Sequence, residues 1–462
     1  ISACLVGSEM CIRDRPHTVF IVASKSGGTL ETLSQYRYFH EKVIGAVGEE
    51  QVGAHFIAIT DPGTKLDQLA QDNKFRATFR NPSDIGGRYS ALSFFGLVPA
   101  AIIGLDVEKL ISRADTMARA CDANVPASQN PGVALGAVMG TLANNGRDKV
   151  TIVVSPPIAT FGYWLEQLLA ESTGKEGKGI LPVEGEALGT PEVYGPDRLF
   201  VYLRTEQGAD DAQDTAITAL EQAGQPVVRL TLADTYDLGQ EFFRWEFATA
   251  VAGALLGINA FDQPNVQESK DNTDRILADY TKSKLLPRPD AILKTESNNV
   301  AIVAQGDEAA KLRGAISLQA ALETFAHEAN AGQPGDYFAL LAYVQHTAEI
   351  DAALQRIRLR LRNARQVATT LGYGPRFQHS TGQLHKGGAN TGVFLQFVAT
   401  DHQDVAIPDA PYTFGTLKGA QALGDLQSLM NHGRRVIRID LGADIAAGLA
   451  EIQEALDAGQ AG

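Results

Sequence analysis

The sequence predicts an α/β fold in which two tandem, doubly wound parallel-sheet layers are followed by a C-terminal α/β extension. Short continuous apolar runs, such as 18–24 and 149–155, are typical of strands covered on both faces of a parallel sheet. A short loop and a helical stretch follow each run, which is the alternation expected of such a sheet. The same order restarts near residue 147 and thereby predicts the second layer.

The first layer is expected over 16–146. Its two predicted strands are the apolar runs 18–24 and 55–60, and an Asp-Pro-Gly turn ends the second. The segments between and after these strands have helical patterns, and we predict helices at 30–43, 91–103, 107–120 and 133–144.

The second layer is expected over 147–280 and the third α/β region over 281–462. Gly257 should end the last long helix of the second layer. For the second layer we predict strands at 149–155, 198–203 and 227–232 and helices at 160–171, 210–222 and 238–256. For the third region we predict helices at 346–370, 416–430 and 445–456 and strands at 392–399 and 435–441, with a glycine-rich insert at 372–392.

Residues 1–15 have neither a helical nor a strand period, and they are too short and too charged for a signal peptide. They resemble translated sequencing-adapter read-through. We therefore expect them to be non-native and the chain to be the back part of a longer protein.

Composition restricts the classes of partner. The chain has 462 residues with 40 Lys and Arg against 54 Asp and Glu, a formal charge of −14, which disfavours nucleic acid or an anionic membrane surface as a partner. The longest apolar stretches, 91–105 and 249–260, are shorter than the roughly 18–20 residues of a membrane span. Three scattered cysteines form no disulfide framework or zinc-ligand pattern, so we expect a reducing, cytoplasmic location and no metal.

The loop 24–32, with the sequence SKSGGTLET, is the first candidate site. Its glycines free backbone N–H groups, its hydroxyls add donors, and a helix N-terminus follows; together these features favour a phosphate monoester. The alternative is an ordinary helix cap with a turn.

Two further segments each contain one charged residue that is a candidate for the functional site. Gly86 and Gly87 precede Arg88 and would let a ligand approach the backbone beside a guanidinium, although a loop arginine in a salt bridge is an alternative. Glu171 lies at a predicted helix end on the face of Trp164, where an apolar environment could tune a general base. A solvated helix-end glutamate is the alternative.

The remaining candidates lie later in the chain. Pro264 breaks the helix that precedes it, and Gln263 and Lys270 would share a face if a helix resumes, because they are seven residues apart. The segment 376–391 concentrates two histidines, His379 and His385, with hydroxyls and glycines, a density that exceeds what folding requires.

Taken together, these segments resemble the glucose-6-phosphate isomerase family. SKSGGTLET at 24–32 is similar to its phosphate loop, and GGRYSALSFFGLVPAAI at 86–102 to its most diagnostic signature. EQLLAESTGK at 166–175 resembles the segment of its catalytic base, and GINAFDQPNVQESK at 257–270 its C-terminal signature. The tail FQHSTGQLHKGGANTGVFLQF at 377–397 further resembles the isomerase half of the fused transaldolase/glucose-6-phosphate isomerase proteins of bacteria, so a transaldolase segment is expected upstream of residue 16.

The resemblance implies two sugar-isomerase (SIS) domains and a phosphorylated hexose as the partner, with no cofactor; homo-oligomerisation stays open. Glu171 would be the base that moves a proton between C2 and C1 through a cis-enediolate, converting glucose 6-phosphate to fructose 6-phosphate. Arg88 would stabilise the enediolate charge. The resemblance also implies a catalytic role for Lys270, which would contact the substrate. It further implies substrate contacts for Ser24, Lys25, Ser26, Thr29, Thr32, Gly87 and Gln263.

Two departures from the family pattern stand out. The family's ring-opening histidine lies between the base and the FDQ segment, yet 172–260 contains no histidine. We hypothesise that His379 takes this role, from the same chain or a partner subunit, with His385 as second choice and as a substrate contact. The second departure is that the family's first glycine-rich strand-turn, which helps to build the sugar site, should precede residue 16 and is missing from this sequence. The alternatives are another SIS-domain sugar-phosphate isomerase and a non-catalytic sugar-phosphate sensor.

Overall fold

The computed structural model describes residues 14–297 and 299–458, and it contains three sheets. The suspected read-through at 1–15 therefore lies almost entirely outside the described residues. The chain forms two compact units: one contains the residues up to 116 with 404–414, and the other contains 117–403 with the residues from 415 onward. Each sheet lies within one of the three predicted regions, and the predicted domain boundaries themselves stay a prediction.

The first unit is built on a three-stranded parallel sheet in the order β1-β2-β3. Every residue of β2 is buried, as its uninterrupted apolar sequence predicts. The strands are β1 (Phe20–Ala23), β2 (Phe56–Thr60) and β3 (Ala77–Arg80), and the helices are α1 (Leu30–Val47), α2 (Lys65–Asp72), α3 (Phe94–Ile102) and the first part of α4 (Val107–Ala120).

The second sheet is fully parallel and has the order β5-β4-β6-β7. Its strands are β4 (Lys149–Val154), β5 (Leu181–Val183), β6 (Arg198–Thr205) and β7 (Val227–Leu232). The accompanying helices are α5 (Pro131–Asn144), α6 (Phe161–Thr173), α7 (Asp211–Gln222), α8 (Leu238–Leu256) and α9 (Val266–Ser283). As predicted, α8 ends at Gly257, whose φ of 70° is left-handed.

The third sheet has six strands in the order β11-β10-β12-β13-β9-β8, of which the first four are mutually parallel. Its strands are β8 (Leu293–Lys294), β9 (Ala301–Val303), β10 (Tyr337–Tyr343), β11 (Ala368–Tyr373), β12 (Gly392–Val398) and β13 (Arg435–Asp440). Its helices are α10 (Gly306–Leu312), α11 (Leu318–Ala326), α12 (Ala348–Arg365), α13 (Gly382–Gly387), α14 (Phe414–Asn431) and α15 (Ile445–Ala458).

The predicted helix 346–370 is wrong at its end. Helix α12 stops at Arg365, Gln366 adopts a left-handed φ of 55°, and strand β11 begins at Ala368. The β-branched Val367, Thr369 and Thr370 lose side-chain freedom in a helix and fit a pleated strand, which explains the change of structure.

A buried charge cluster connects the second and third sheets within the second unit. The carboxylate of Glu186 lies 3.2 Å from the Arg198 guanidinium and 3.6 Å from that of Arg362, and it accepts a hydrogen bond from Thr369 Oγ1 at 2.8 Å. Arg358 donates to the Thr369 carbonyl at 2.7 Å. Glu186 is thus paired with two arginines, and these contacts link α12 and β11 to the edge of the second sheet.

Candidate active site

The residues of the loop 24–32 follow β1 at the carboxyl edge of the first sheet. Buried Ser24 forms a hydroxyl–hydroxyl hydrogen bond with Thr29 at 2.9 Å, and the Gly28 N–H donates to Ser26 Oγ at 3.3 Å. Thr29 precedes α1 without capping it by a side-chain hydrogen bond, and Thr32 lies half-buried in the first turn. The amides of this helix N-terminus therefore favour an anion.

Gly27 is required in this loop. Its φ is +65°, and a Cβ there would lie 2.7 Å from the Leu66 nitrogen, at the start of α2. Both the left-handed backbone and the close approach exclude a larger side chain.

Lys25 is held by other protein groups. Its ammonium forms an ion pair with Asp61 and donates to the Ser83 carbonyl at 2.9 Å, so that it joins the segments that follow β1, β2 and β3. Asp61 offsets the lysine charge, which makes the hydroxyls and amides the stronger anion-binding groups of the loop. A substrate contact by Lys25 stays a prediction.

Arg88 lies in the short 3₁₀-helix Gly87–Tyr89 that follows β3, and its side chain is 4% exposed. Its guanidinium carbon is 5.2 Å from the centre of the Tyr89 ring. The position where Gly87 would carry a Cβ has no protein atom within 4 Å, so the backbone beside the buried guanidinium is open to a ligand.

Glu171 is placed in the last turn of α6, as predicted. It is half-buried in a helix of mostly buried residues, and its Oε2 accepts a hydrogen bond from Gln167 Nε2 at 3.1 Å. The preceding residue, Ala170, belongs to a core cluster that also contains Phe377 and Leu384 of the tail segment. This packing fixes the end of α6 relative to the third sheet.

Lys175 connects the end of α6 to the FDQ segment. It is 1% exposed, and its ammonium donates to the Asn259 carbonyl at 2.7 Å, to Asp262 Oδ1 at 2.7 Å and to the Asp262 carbonyl. Gln263 follows directly and is exposed. It precedes α9, so only Lys270 of the predicted pair lies on that helix. The Lys270 side chain is exposed.

Gln383 brings a third segment to the same place. Its Nε2 donates to the Gly174 carbonyl at 2.8 Å and to Asn265 Oδ1 at 2.8 Å, and its Oε1 accepts from the Asn265 N–H at 2.9 Å. The segments of Glu171, Gln263 and His379 are therefore joined within one unit. His379 itself is half-buried at the end of the 3₁₀-helix Arg376–His379.

His385 has a different environment. It is 2% exposed, and its ring lies 5.1 Å from that of Phe394, 6.1 Å from Phe377 and 6.3 Å from Tyr337. Burial, together with the cations of Lys386 and Arg434, holds the pKa of His385 well below its usual range. Within the described residues its Nε2 has no hydrogen-bond partner. A neutral ring in an aromatic core is unsuited to the substrate contact or proton transfer predicted for it.

Sequence reasoning missed three polar residues that organise the site: Glu166, Lys175 and Gln383. All three lie inside the quoted motifs, but only Glu166 carries a local signal, as a charged residue within the apolar stretch of α6. Within the described residues, no cluster of His, Cys, Asp and Glu is arranged to hold a metal ion, and no helix is long and apolar enough to cross a membrane.

The parallel layers and the polar edges define a protein of the sugar-isomerase fold class. A family model described as phosphoglucose isomerase matches residues 9–181. Glucose-6-phosphate isomerase of Pediococcus pentosaceus is 30% identical over 304 residues, which cover 58% of this chain and 67% of that protein. That of Parabacteroides distasonis is 28% identical over 292 residues, covering 55% and 65%. The chain belongs to the phosphoglucose isomerase family.

A solved structure supports the fold assignment. The crystal structure of a glucose-6-phosphate isomerase from Chlamydia trachomatis matches with a TM-score of 0.50 at 19% identity, covering 60% of this chain and 62% of that one. The chain spans about two thirds of the length of the curated relatives it matches. The family model ends at residue 181, so the third sheet lies outside that match.

Proposed function

We propose that this chain interconverts glucose 6-phosphate and fructose 6-phosphate through ring opening and a cis-enediolate. The observation that carries the proposal is the junction made by Gln383 and Lys175. It joins the end of the base helix to the FDQ loop and to the segment of His379, so three motifs far apart in sequence meet at one place.

The phosphate group is assigned to the loop after β1. Ser24, Ser26, Thr29 and Thr32 offer hydroxyl donors, and the first amides of α1 add a positive helix end. Lys25 contributes from its anchored position beside Asp61. Binding energy from the phosphate then supports orientation of the reacting carbons.

The reacting carbons are assigned to Glu171, Arg88 and His379. His379 moves a proton to and from the ring oxygen so that the hexose opens. Glu171 takes the proton from C2 and returns it to C1, while the hydroxyl proton on O2 passes to O1, so that the carbonyl moves from C1 to C2. Arg88, beside the open backbone of Gly87, stabilises the negative charge of the enediolate. Gln263 and Lys270 are assigned to the substrate's hydroxyls.

A coupled assay tests this proposal: glucose 6-phosphate formed from fructose 6-phosphate is oxidised by an NADP-dependent dehydrogenase, and NADPH is followed at 340 nm. We expect turnover by the parent and a loss of at least 100-fold in Glu171→Gln, because general-base catalysis contributes roughly 10²–10⁴-fold. Glu176→Gln, an exposed carboxylate five residues further on, is the control and should keep parental turnover. A parent that binds fructose 6-phosphate without turnover would contradict the proposal and favour a sensor.

The upstream transaldolase segment, the cytoplasmic location and assembly into homo-oligomers stay predictions. Mass measurement of the purified chain by light scattering tests the last of these directly.

A further inference from the structure

Helix α6 carries a second carboxylate besides Glu171. Glu166 lies five residues earlier and is 3% exposed. Its Oε1 accepts a hydrogen bond from Ser380 Oγ at 2.9 Å and lies 3.5 Å from Arg376 Nη2. Ser380 directly follows His379 in the chain, so this buried carboxylate holds the residue next to the proposed ring-opening histidine.

The turn 376–380 is anchored on its other side as well. Gln378 Nε2 donates to the Tyr343 hydroxyl at 2.5 Å and to the Gln421 carbonyl at 3.1 Å. Phe377 is completely buried among the residues of the second unit's core. His379 is therefore flanked by two anchored neighbours, Gln378 against the third sheet and Ser380 against α6.

The buried environment of Glu166 explains why its contact with Ser380 matters for the turn. Burial raises the pKa of Glu166, while the Arg376 charge and the Ser380 hydroxyl oppose that rise. A buried carboxyl group needs hydrogen-bond partners. Loss of the Ser380 hydroxyl would leave Glu166 Oε1 with only the longer contact to Arg376, at 3.5 Å, so the Ser380 contact helps to hold the turn against α6.

We propose that Glu166 is a positioning residue for His379, acting through Ser380 and Arg376 to hold the imidazole where ring opening requires it. The catalytic part of this inference rests on the proposed function. The structural part, that the Glu166–Ser380 contact determines the environment of the His379 ring, does not.

The first test observes the His379 ring directly. The chain is labelled with ¹³C at histidine Cε1, and the His379 resonance is identified by its absence in His379→Ala. We expect Ser380→Ala and Glu166→Leu to shift this resonance. Ser428→Ala should leave it unchanged, since Ser428 is an equally buried serine that accepts a hydrogen bond from Asn272 at 3.0 Å elsewhere in the same unit.

The second test observes ring opening separately from isomerisation. Exchange between the α and β anomers of glucose 6-phosphate, measured by two-dimensional exchange NMR, needs ring opening but no proton transfer at C2. We expect Ser380→Ala to slow enzyme-catalysed anomer exchange about tenfold, because small misplacements of a catalytic group are costly. Glu171→Gln should retain anomer exchange. Glu166→Gln keeps an acceptor oxygen for Ser380 and should fall between parent and Ser380→Ala.

The outcomes separate the two proposals. A parental His379 resonance in both Ser380→Ala and Glu166→Leu overturns the inference, as does an equal shift in Ser428→Ala. A shifted resonance with parental anomer exchange also overturns it, because the turn would then not matter for ring opening. A parent that neither exchanges anomers nor isomerises the sugar refutes the proposed function and the catalytic part together, and the resonance alone then decides the structural part.

Discussion

Replacing Gln383 by alanine tests whether one side chain holds the site together. Gln383 is completely buried and makes three hydrogen bonds, two from its Nε2 and one to its Oε1, with lengths of 2.8, 2.8 and 2.9 Å. Each such bond contributes about 1 kcal/mol net. Truncation also removes the hydrogen-bond partner that Gln383 provides to the Gly174 carbonyl and to the backbone N–H of Asn265. We therefore expect the free energy of unfolding to fall by about 3 kcal/mol.

Gln396→Ala is the matched control. Gln396 is also completely buried in the second unit, but it lies in β12 and donates one hydrogen bond, to the Ala422 carbonyl at 2.9 Å. Its loss should cost about 1 kcal/mol. It should leave turnover of fructose 6-phosphate unchanged, because its hydrogen bond goes to α14 and does not join the segments of Glu171, Gln263 and His379.

The assay combines unfolding and kinetics on the same preparations. Urea unfolding is followed by the fluorescence of Trp164 and Trp245, both in the second unit, and kcat is measured by the coupled assay. We expect Gln383→Ala to lose about tenfold in kcat under conditions where it is still folded. Equal losses of stability in the two glutamine variants, with parental kcat in both, would refute the role assigned to the junction.

Three further predictions follow from the same geometry. Lys175→Met should raise KM for fructose 6-phosphate by loosening the loop around Asp262, with kcat less affected, and steady-state kinetics measure the split. Gly27→Ala should raise KM and lower the melting temperature because its φ is +65° and its Cβ would meet a backbone nitrogen, whereas Gly45→Ala, in the open face of α1, should be tolerated; parental KM in both would contradict the loop assignment. Burial raises the pKa of Glu241 to about 7. Between pH 4.5 and 7 the folded chain therefore binds more protons than the unfolded chain. The free energy of unfolding should fall as pH rises through that window, and this group contributes at most about 3 kcal/mol to the fall. Glu241→Gln should flatten that slope in urea titrations at pH 5 and pH 8, and an unchanged slope would show that the carboxyl is not the cause.

The parallel layers could be predicted because their strands are continuous apolar runs. Strand β2 and helix α8 were placed within a few residues, and the left-handed Gly257 marked the helix end. Strand β10 was missed although its seven residues are all buried and the turn residues Pro334, Gly335 and Asp336 directly precede it. A short continuous apolar run does not by itself distinguish a strand from a buried helix. Strand β11 was merged with α12 because Gln366, a residue without turn preference, makes the break.

Some of the candidate site residues could likewise be found from the sequence, whereas the contacts between their segments could not. Residue types at the ends of strands and helices, together with the family resemblance, indicated the loop 24–32, Arg88 and Glu171 as candidates, and their roles stay predictions. The junction could not be predicted, since Gln383 contacts Gly174 across 209 residues of sequence and no local pattern records such a contact. Burial of His385 could not be predicted either, because two of its three aromatic neighbours, Tyr337 and Phe394, come from strands β10 and β12.

The most direct test of the proposed chemistry follows hydrogen at C2 of glucose 6-phosphate in D₂O by proton NMR. Incubation with the parent chain should replace the C2 proton by deuterium, and Glu171→Gln should leave it in place while still binding the sugar phosphate. Retention of the C2 proton with the parent, or parental exchange in Glu171→Gln, would contradict the assignment of Glu171 as the base.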